Sequence, residues 1–142
     1  MKFGISPQGF IRIAQEYEED IEQVEEELIE PVEMSVQDFK NYLIDKYGVS
    51  LQLAESGSGS GLVLDKIVVP EDERGGGIGT QVMEEIIYYA DTHGLTIGLD
   101  PDTSFGGTMG RLKNFYKGFG FVPNKGRNKD YEFMQSYIRQ PV

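Results

Sequence analysis

The chain has no cysteine and a single histidine, His93. No disulfide framework, thiolate metal site or cysteine nucleophile can be built from it, and one imidazole cannot make a multi-histidine metal centre. Long hydrophobic runs are also missing: no apolar stretch approaches the ~18 residues of a membrane span, and the opening "MKFGISPQGF" has no signal-like apolar core. The expectation is a soluble, cytoplasmic protein with no membrane partner. Positive charge is scarce and unevenly placed. Residues 1–110 carry 6 basic against 22 acidic side chains, a net of −16, whereas residues 111–142 carry 7 against 2, a net of +5. Duplex nucleic acid is therefore not an expected partner of the acidic part, because phosphate binding runs on cationic side chains. The basic remainder could still hold a small polyanion.

What is present suits one domain: 142 residues are enough for a real core and too few for two. Ser6-Pro7 reads as a helix start, and Phe10, Ile13, Tyr17, Ile21, Val24 and Leu28 recur every three or four residues up to Pro31. This predicts a long N-terminal helix. Its other face is heavily acidic, with no Lys or Arg between Ile13 and Phe39. That face is either simply solvated or a docking surface for something cationic. Ser35, with Asp38 three residues on, predicts a second helix whose buried face is Val36, Phe39, Leu43 and Tyr47 and whose stop is Gly48.

Downstream, "VSLQLAE" alternates like a strand, "SGSGSG" reads as a hairpin loop, and "LVLDKIVV" as a buried strand ending at Pro70. A helix marked by Ile78, Val82, Ile86, Ile87 and Ala90 ends near Gly94, and "LTIGL" is another buried strand. A helix over about Met109 to Lys117, the stretch "FGFVPN" and a last strand around "YEFMQSYI" complete the order. Strand, helix and strand with short links predict a parallel crossover. There is no internal repeat.

The stretch "ERGGGIGT", Glu73 to Thr80, packs four glycines into five positions between a strand and a helix. Such a turn exposes backbone N–H groups at a helix N-terminus, where an anion is favoured. A Walker loop would need Gly-Lys-Ser/Thr at its end, and the lysine is missing; a dinucleotide fingerprint starting at Gly75 would need glycine where Thr80 stands. What fits is Arg74-x-x-Gly77-x-Gly79 after "IVVPEDE". It resembles the acyl-CoA pyrophosphate loop of the GNAT acetyltransferase superfamily. A second piece, Tyr116-x-x-x-Gly120-Phe121, is similar to that family's other signature, and the two stand in the family's order. The tail also looks like small acetyltransferases often seen in phages and prophages. The likeness covers roughly Leu62 to Phe133.

The resemblance implies a mixed α/β (α+β) fold: a GNAT-like, partly parallel central sheet flanked by helices, here with a helical acidic N-terminal part over residues 1–48 and a cofactor-binding core over 62–133. It implies acetyl-CoA as cosubstrate and no metal. A strand ending in a bulge would lie along the pantetheine arm, with a backbone N–H at the end of Ile67, Val68 and Val69 polarising the thioester carbonyl. Arg74, Gly75, Gly76, Gly77, Ile78, Gly79 and Thr80 would hold the pyrophosphate, Arg111 would lie near the cofactor, and the Tyr116 hydroxyl would protonate the leaving thiolate. Gly77 and Gly79 fill the motif's fixed places, while Gly75 and Gly76 occupy free ones. Met109 stands where the family often has an asparagine, and the N-terminal half departs from the family's strand-first start.

The residues themselves leave alternatives at each point. Tyr116 could be a core aromatic between Phe115 and Phe119. Asp65 and Glu71 could act as base or be surface decoration, and Asp100 and Asp102 could be turn residues or ligands. Lys125, Arg127 and Lys129 could serve the same anion or nothing. The expected function is an acetyl-CoA-dependent N-acetyltransferase working by direct attack of a primary amine: a protein lysine, an N-terminus or a small cationic amine. The alternative is a weakly active or inactive binding protein whose acidic helix engages a basic partner. A homodimer is left open.

Overall fold

A computed structural model describes residues 11–12, 28–103 and 108–142. Two short antiparallel strands, β1 (Ile11–Arg12) and β2 (Leu28–Ile29), pair with each other. The predicted N-terminal helix therefore does not hold at residues 11–12 and 28–29, and the rest of it, its expected start at Ser6-Pro7 included, lies outside the described residues. Proline accounts for the later end: Glu30 is extended, as the residue before Pro31 is forced to be, and one 3-10 turn (Pro31–Glu33) follows.

Helix α1 (Val36–Tyr47) starts and stops where its punctuation says. The Ser35 hydroxyl accepts from the Asp38 N–H at 3.1 Å, and Gly48 closes the helix in the left-handed region. Strand β3 (Ser50–Glu55) turns through the serine-glycine loop into β4 (Gly61–Val68) as an antiparallel hairpin. Helix α2 (Ile78–His93), strand β5 (Thr96–Leu99), helix α3 (Met109–Lys117) and strands β6 (Val122–Pro123) and β7 (Tyr137–Arg139) follow. The sheet order is β3-β4-β5-β7-β6, and β4 with β5 is its parallel pair. The chain is thus mixed α/β. The last strand begins later than expected, because Tyr131 to Ser136 belong to a long β6–β7 loop rather than to β7.

One face of the sheet packs on α1 and α2. Leu51, Leu53, Leu62, Leu64, Ile97 and Leu99 meet Phe39, Leu43, Val82, Met83 and Ile86, all essentially solvent-free. Aromatic stacking fastens the two helices: the Phe39 ring lies 4.3 Å from Tyr89, whose hydroxyl donates to the Met34 carbonyl at 2.7 Å. On the far face the β6–β7 loop folds back and drives Phe133 against the backbone of β4 and β5. A Cβ at Gly61 would lie 2.4 Å from the Phe133 ring and one at Gly98 2.5 Å, so only glycine admits the ring at both places. Buried Asn124 holds this loop. Its amide donates to the carbonyls of Asp130, Phe133 and Gln135, and its oxygen accepts from the Asp130 N–H.

Candidate active site

The site grows out of one irregularity in β4. Cross-strand partners run Gln52 with Lys66 and then Leu53 with Leu64, so Asp65 is an extra residue with no partner on β3. A bulge of this kind shifts the side-chain alternation by one. Before it, Leu62 and Leu64 face the core; after it, Ile67 and Val69 do. The sequence carries that signal, since the apolar pattern skips at the polar pair Asp65-Lys66. The resemblance implied a bulge toward the end of "LVLDKIVV"; the structure puts it at Asp65.

At the same place β4 loses its other neighbour. The parallel pairing with β5 ends at Leu64 with Leu99, so from Asp65 onward this edge of β4 has no β5 partner. The two strands part around a cleft of about 250 Å³. One wall is β4 from Leu64 to Val68 with Val69 just past its end; the others are Arg74, the residues Asp100 and Asp102 after β5, and Leu112 and Tyr116 of α3. Strand register and bulge thus expose a stretch of backbone in a cleft that Tyr116 also lines.

Four of the expected residues meet in this cleft besides Tyr116: Ile67, Val68, Val69 and Arg74. The Arg74 guanidinium reaches back along the strand, its Nε donating to the Val69 carbonyl at 3.0 Å. Beyond it, Gly75 and Gly77 have φ of 88° and 84°, where a side chain would cost about 1–2 kcal/mol. The free motif place at Gly75 is therefore as demanding as the fixed one at Gly77. Gly76 has ordinary φ, and Gly79 faces Val69 and the Phe115 ring at the first turn of α2. A Cβ at Gly75 or Gly77 would meet nothing within 4 Å, so the loop has open space around it. No side chain caps α2, and its first turn, with Ile78, Gly79 and Thr80, contains no acidic residue. Its leading N–H groups keep the partial positive charge that favours an anion.

Tyr116 sits near the end of α3 with its ring edge-on to Phe115 and Phe121, at 5.2 and 5.7 Å. The downstream glycine explains the motif spacing. Gly120, at φ of 96°, turns the chain so that buried Phe121 returns onto Tyr116, and the Phe121 N–H donates to the Tyr116 carbonyl. Burial, and then the negative charge of Asp102, raise the Tyr116 hydroxyl above the ordinary tyrosine value. It stays protonated through neutral pH and can give that proton to a stronger base.

Arg111 lies elsewhere. It is exposed in the first turn of α3, its backbone N–H bonded to the Thr108 hydroxyl, and it is not among the residues lining the cleft. Lys125, Arg127 and Lys129 are exposed on the β6–β7 loop, Met109 is exposed at the start of α3, and Glu71 is exposed in a 3-10 turn outside the cleft. Of the carboxylates, Asp65, Asp100 and Asp102 line it. Asp100 also has a structural task, accepting from the Ser136 N–H at 2.7 Å and tying the rim to the start of β7. The lining residues that the sequence did not single out are Leu64, Lys66 and Leu112, the last one helical turn before Tyr116.

Among the described residues no group of three or more His, Asp or Glu is arranged to hold a metal, and no helix is long and apolar enough to cross a membrane. Comparison with protein-family models, with curated proteins and with solved structures finds no match.

Proposed function

We propose that the chain is an acetyl-CoA-dependent N-acetyltransferase acting on a primary amine. The observation that carries this reading is the coincidence, in one cleft, of the bulged and half-unpaired end of β4 with the Tyr116 hydroxyl and with a strand exit that leads into the glycine loop. Each part has a task in acyl transfer. The free edge of Ile67 to Val69 offers backbone groups to an extended amide-bearing arm and an N–H to a thioester oxygen, where developing negative charge is stabilised. Arg74 and the α2 N-terminus, shaped by Gly75 and Gly77, receive the phosphates. Tyr116 protonates the departing thiolate. The bound thioester supplies the acyl group. Arg111 is left out of this assignment, since it is exposed and belongs neither to the cleft lining nor to the glycine loop.

Acceptor preference follows charge. Three carboxylates against Lys66 and Arg74, in a chain of net charge −11, favour a cationic amine. The test is thermal stability with and without acetyl-CoA, followed by thioester consumption with a panel of amines in the native protein and in Tyr116→Phe. Stabilisation and tyrosine-dependent turnover are expected. The absence of any stabilisation at saturating acetyl-CoA would remove the enzyme reading. Stabilisation without turnover would favour a binding protein of the same fold, a reading to which exposed Met109 and outlying Arg111 lend weight.

A further inference from the structure

Helix α3 has little packing of its own to hold it. None of its nine residues is fully buried, and its grip on the core comes through Phe115, Tyr116 and the turn that follows them. That turn is built on Tyr116 itself, whose carbonyl accepts from the N–H groups of Phe119 and Phe121. An arginine from the far end of the chain fastens the turn to the rest of the fold. Arg139, on β7, is only 8% exposed, and a buried cation has to be paired and hydrogen-bonded. Its guanidinium faces two ways. The two Nη groups donate to the Asp91 carboxylate in the last turn of α2, at 2.7 and 3.2 Å, while Nε donates to the Phe119 carbonyl at 2.7 Å. Gly120 gives room for the second contact, since a Cβ there would crowd Nε at 3.4 Å. Donors fixed in one plane can serve both partners at once, which a single ammonium on a flexible stem cannot do.

We propose that Arg139 is a positioning residue for Tyr116. It ties the end of the helix that carries the hydroxyl to the end of α2, the helix whose first turn is open to an anion, so proton donor and phosphate loop are held in one frame. The proposal rests on the acetyltransferase reading and deepens it by adding a residue from outside the cleft lining. Without the Phe119 contact the turn loses its outer anchor. Phe121 then shifts, and with it the Tyr116 ring that packs edge-on against it. A proton donor is sensitive to such a change, because a misplacement of about 1 Å can cost roughly a hundredfold in rate.

Two substitutions separate the two contacts of the guanidinium. In Arg139→Lys a methylene takes the place of Nε and an ammonium stays near Asp91, so the Phe119 bond is lost and the ion pair is kept. Asp91→Asn does the reverse. With acetyl-CoA and the amine that gives the fastest native turnover, kcat should fall about tenfold in Arg139→Lys and stay within about twofold of native in Asp91→Asn, with KM for acetyl-CoA nearly unchanged in both. Added to Tyr116→Phe, Arg139→Lys should cost nothing further, because the two changes act through one hydroxyl. Equal losses in the two single variants, or the full loss repeated on top of Tyr116→Phe, would overturn the proposal. Placement is also read without turnover, from the Cζ resonance of Tyr116 in protein carrying isotope-labelled tyrosine, assigned by its disappearance in Tyr116→Phe. It should move in Arg139→Lys and stay put in Asp91→Asn. An unmoved resonance in Arg139→Lys overturns the proposal whether or not the chain transfers acetyl groups. A resonance that moves in a chain without acetyl transfer confirms Arg139 as the anchor of Tyr116, and it is then the enzyme reading that falls.

Discussion

From Leu62 to Leu64, β4 is paired with a strand on each side, and Leu62 and Leu64 are buried; after the unpaired Asp65, Lys66 to Val68 keep only β3, and every side chain from Asp65 to Val68 is at least partly exposed. The same element therefore does two jobs divided by one extra residue. Its first half is core. Its second half gives up packing and pairing, and what it gains is a row of accessible backbone groups next to Tyr116. Strand order and register create the cleft as directly as any side chain does. Substitutions should accordingly separate into those that cost stability and those that cost only binding or turnover.

The largest effect is expected in the first half. Leu62→Ala removes a fully buried side chain and should destabilise the fold by about 2–5 kcal/mol in denaturant unfolding. Its loss of acetyl-CoA affinity should follow only from the unfolded fraction. If cofactor binding weakened in the folded protein as much as stability, the division of β4 would be wrong. Next comes Tyr116→Phe, which keeps the ring contacts with Phe115 and Phe121 and removes the hydroxyl. Turnover should fall about 100-fold or more, while the melting temperature stays close to native. Because the hydroxyl is raised above its ordinary value, native turnover should not lose this proton donor until above about pH 10.

Gly77→Ala tests the loop at the end of the second half. Positive φ costs the new side chain about 1–2 kcal/mol, and calorimetric affinity for acetyl-CoA should drop about tenfold. Gly76→Ala, at ordinary φ, is the control and should leave both nearly unchanged. The smallest effect lies far from the cleft, where Arg139 holds Asp91 at 2.7 Å. Hydrogen bonding from Arg139 keeps the Asp91 carboxyl below its usual value despite partial burial. The sign follows from that direction: the contribution is complete above about pH 4 and is lost as pH falls through the lower folded-state value. The stability gap between native protein and Asp91→Asn should therefore close on acidification and stay constant at neutral pH.

Much of the scaffold was legible because punctuation residues act locally. Ser35 with Asp38, Gly48 and Gly94 place helix ends through their own hydrogen bonds and left-handed φ, and "SGSGSG" could do little except turn. The N-terminal stripe misled, since helical spacing of apolar residues is silent on whether Ile11 and Ile29 will find each other across a strand pair. The late start of β7 was hidden by Asn124, whose three amide donations hold a segment that alternates like a strand. For the site, spacing marked Gly77 as a demanding place but not Gly75, whose positive φ falls at a free position of the motif. The fate of Arg111 could not be read either, because placement in the sequence does not tell which way a helix turns its first residues.

Phe133 adds a matter of timing. Its ring can be seated only after Gly61 and Gly98, far apart in the sequence, have become neighbours in adjacent strands, so the β6–β7 loop cannot close before the hairpin and the crossover have both formed. Contacts that wait on such distant partners form late. The Asp100 link to Ser136 depends on the same loop, so completion of the cleft rim should come with that late closure.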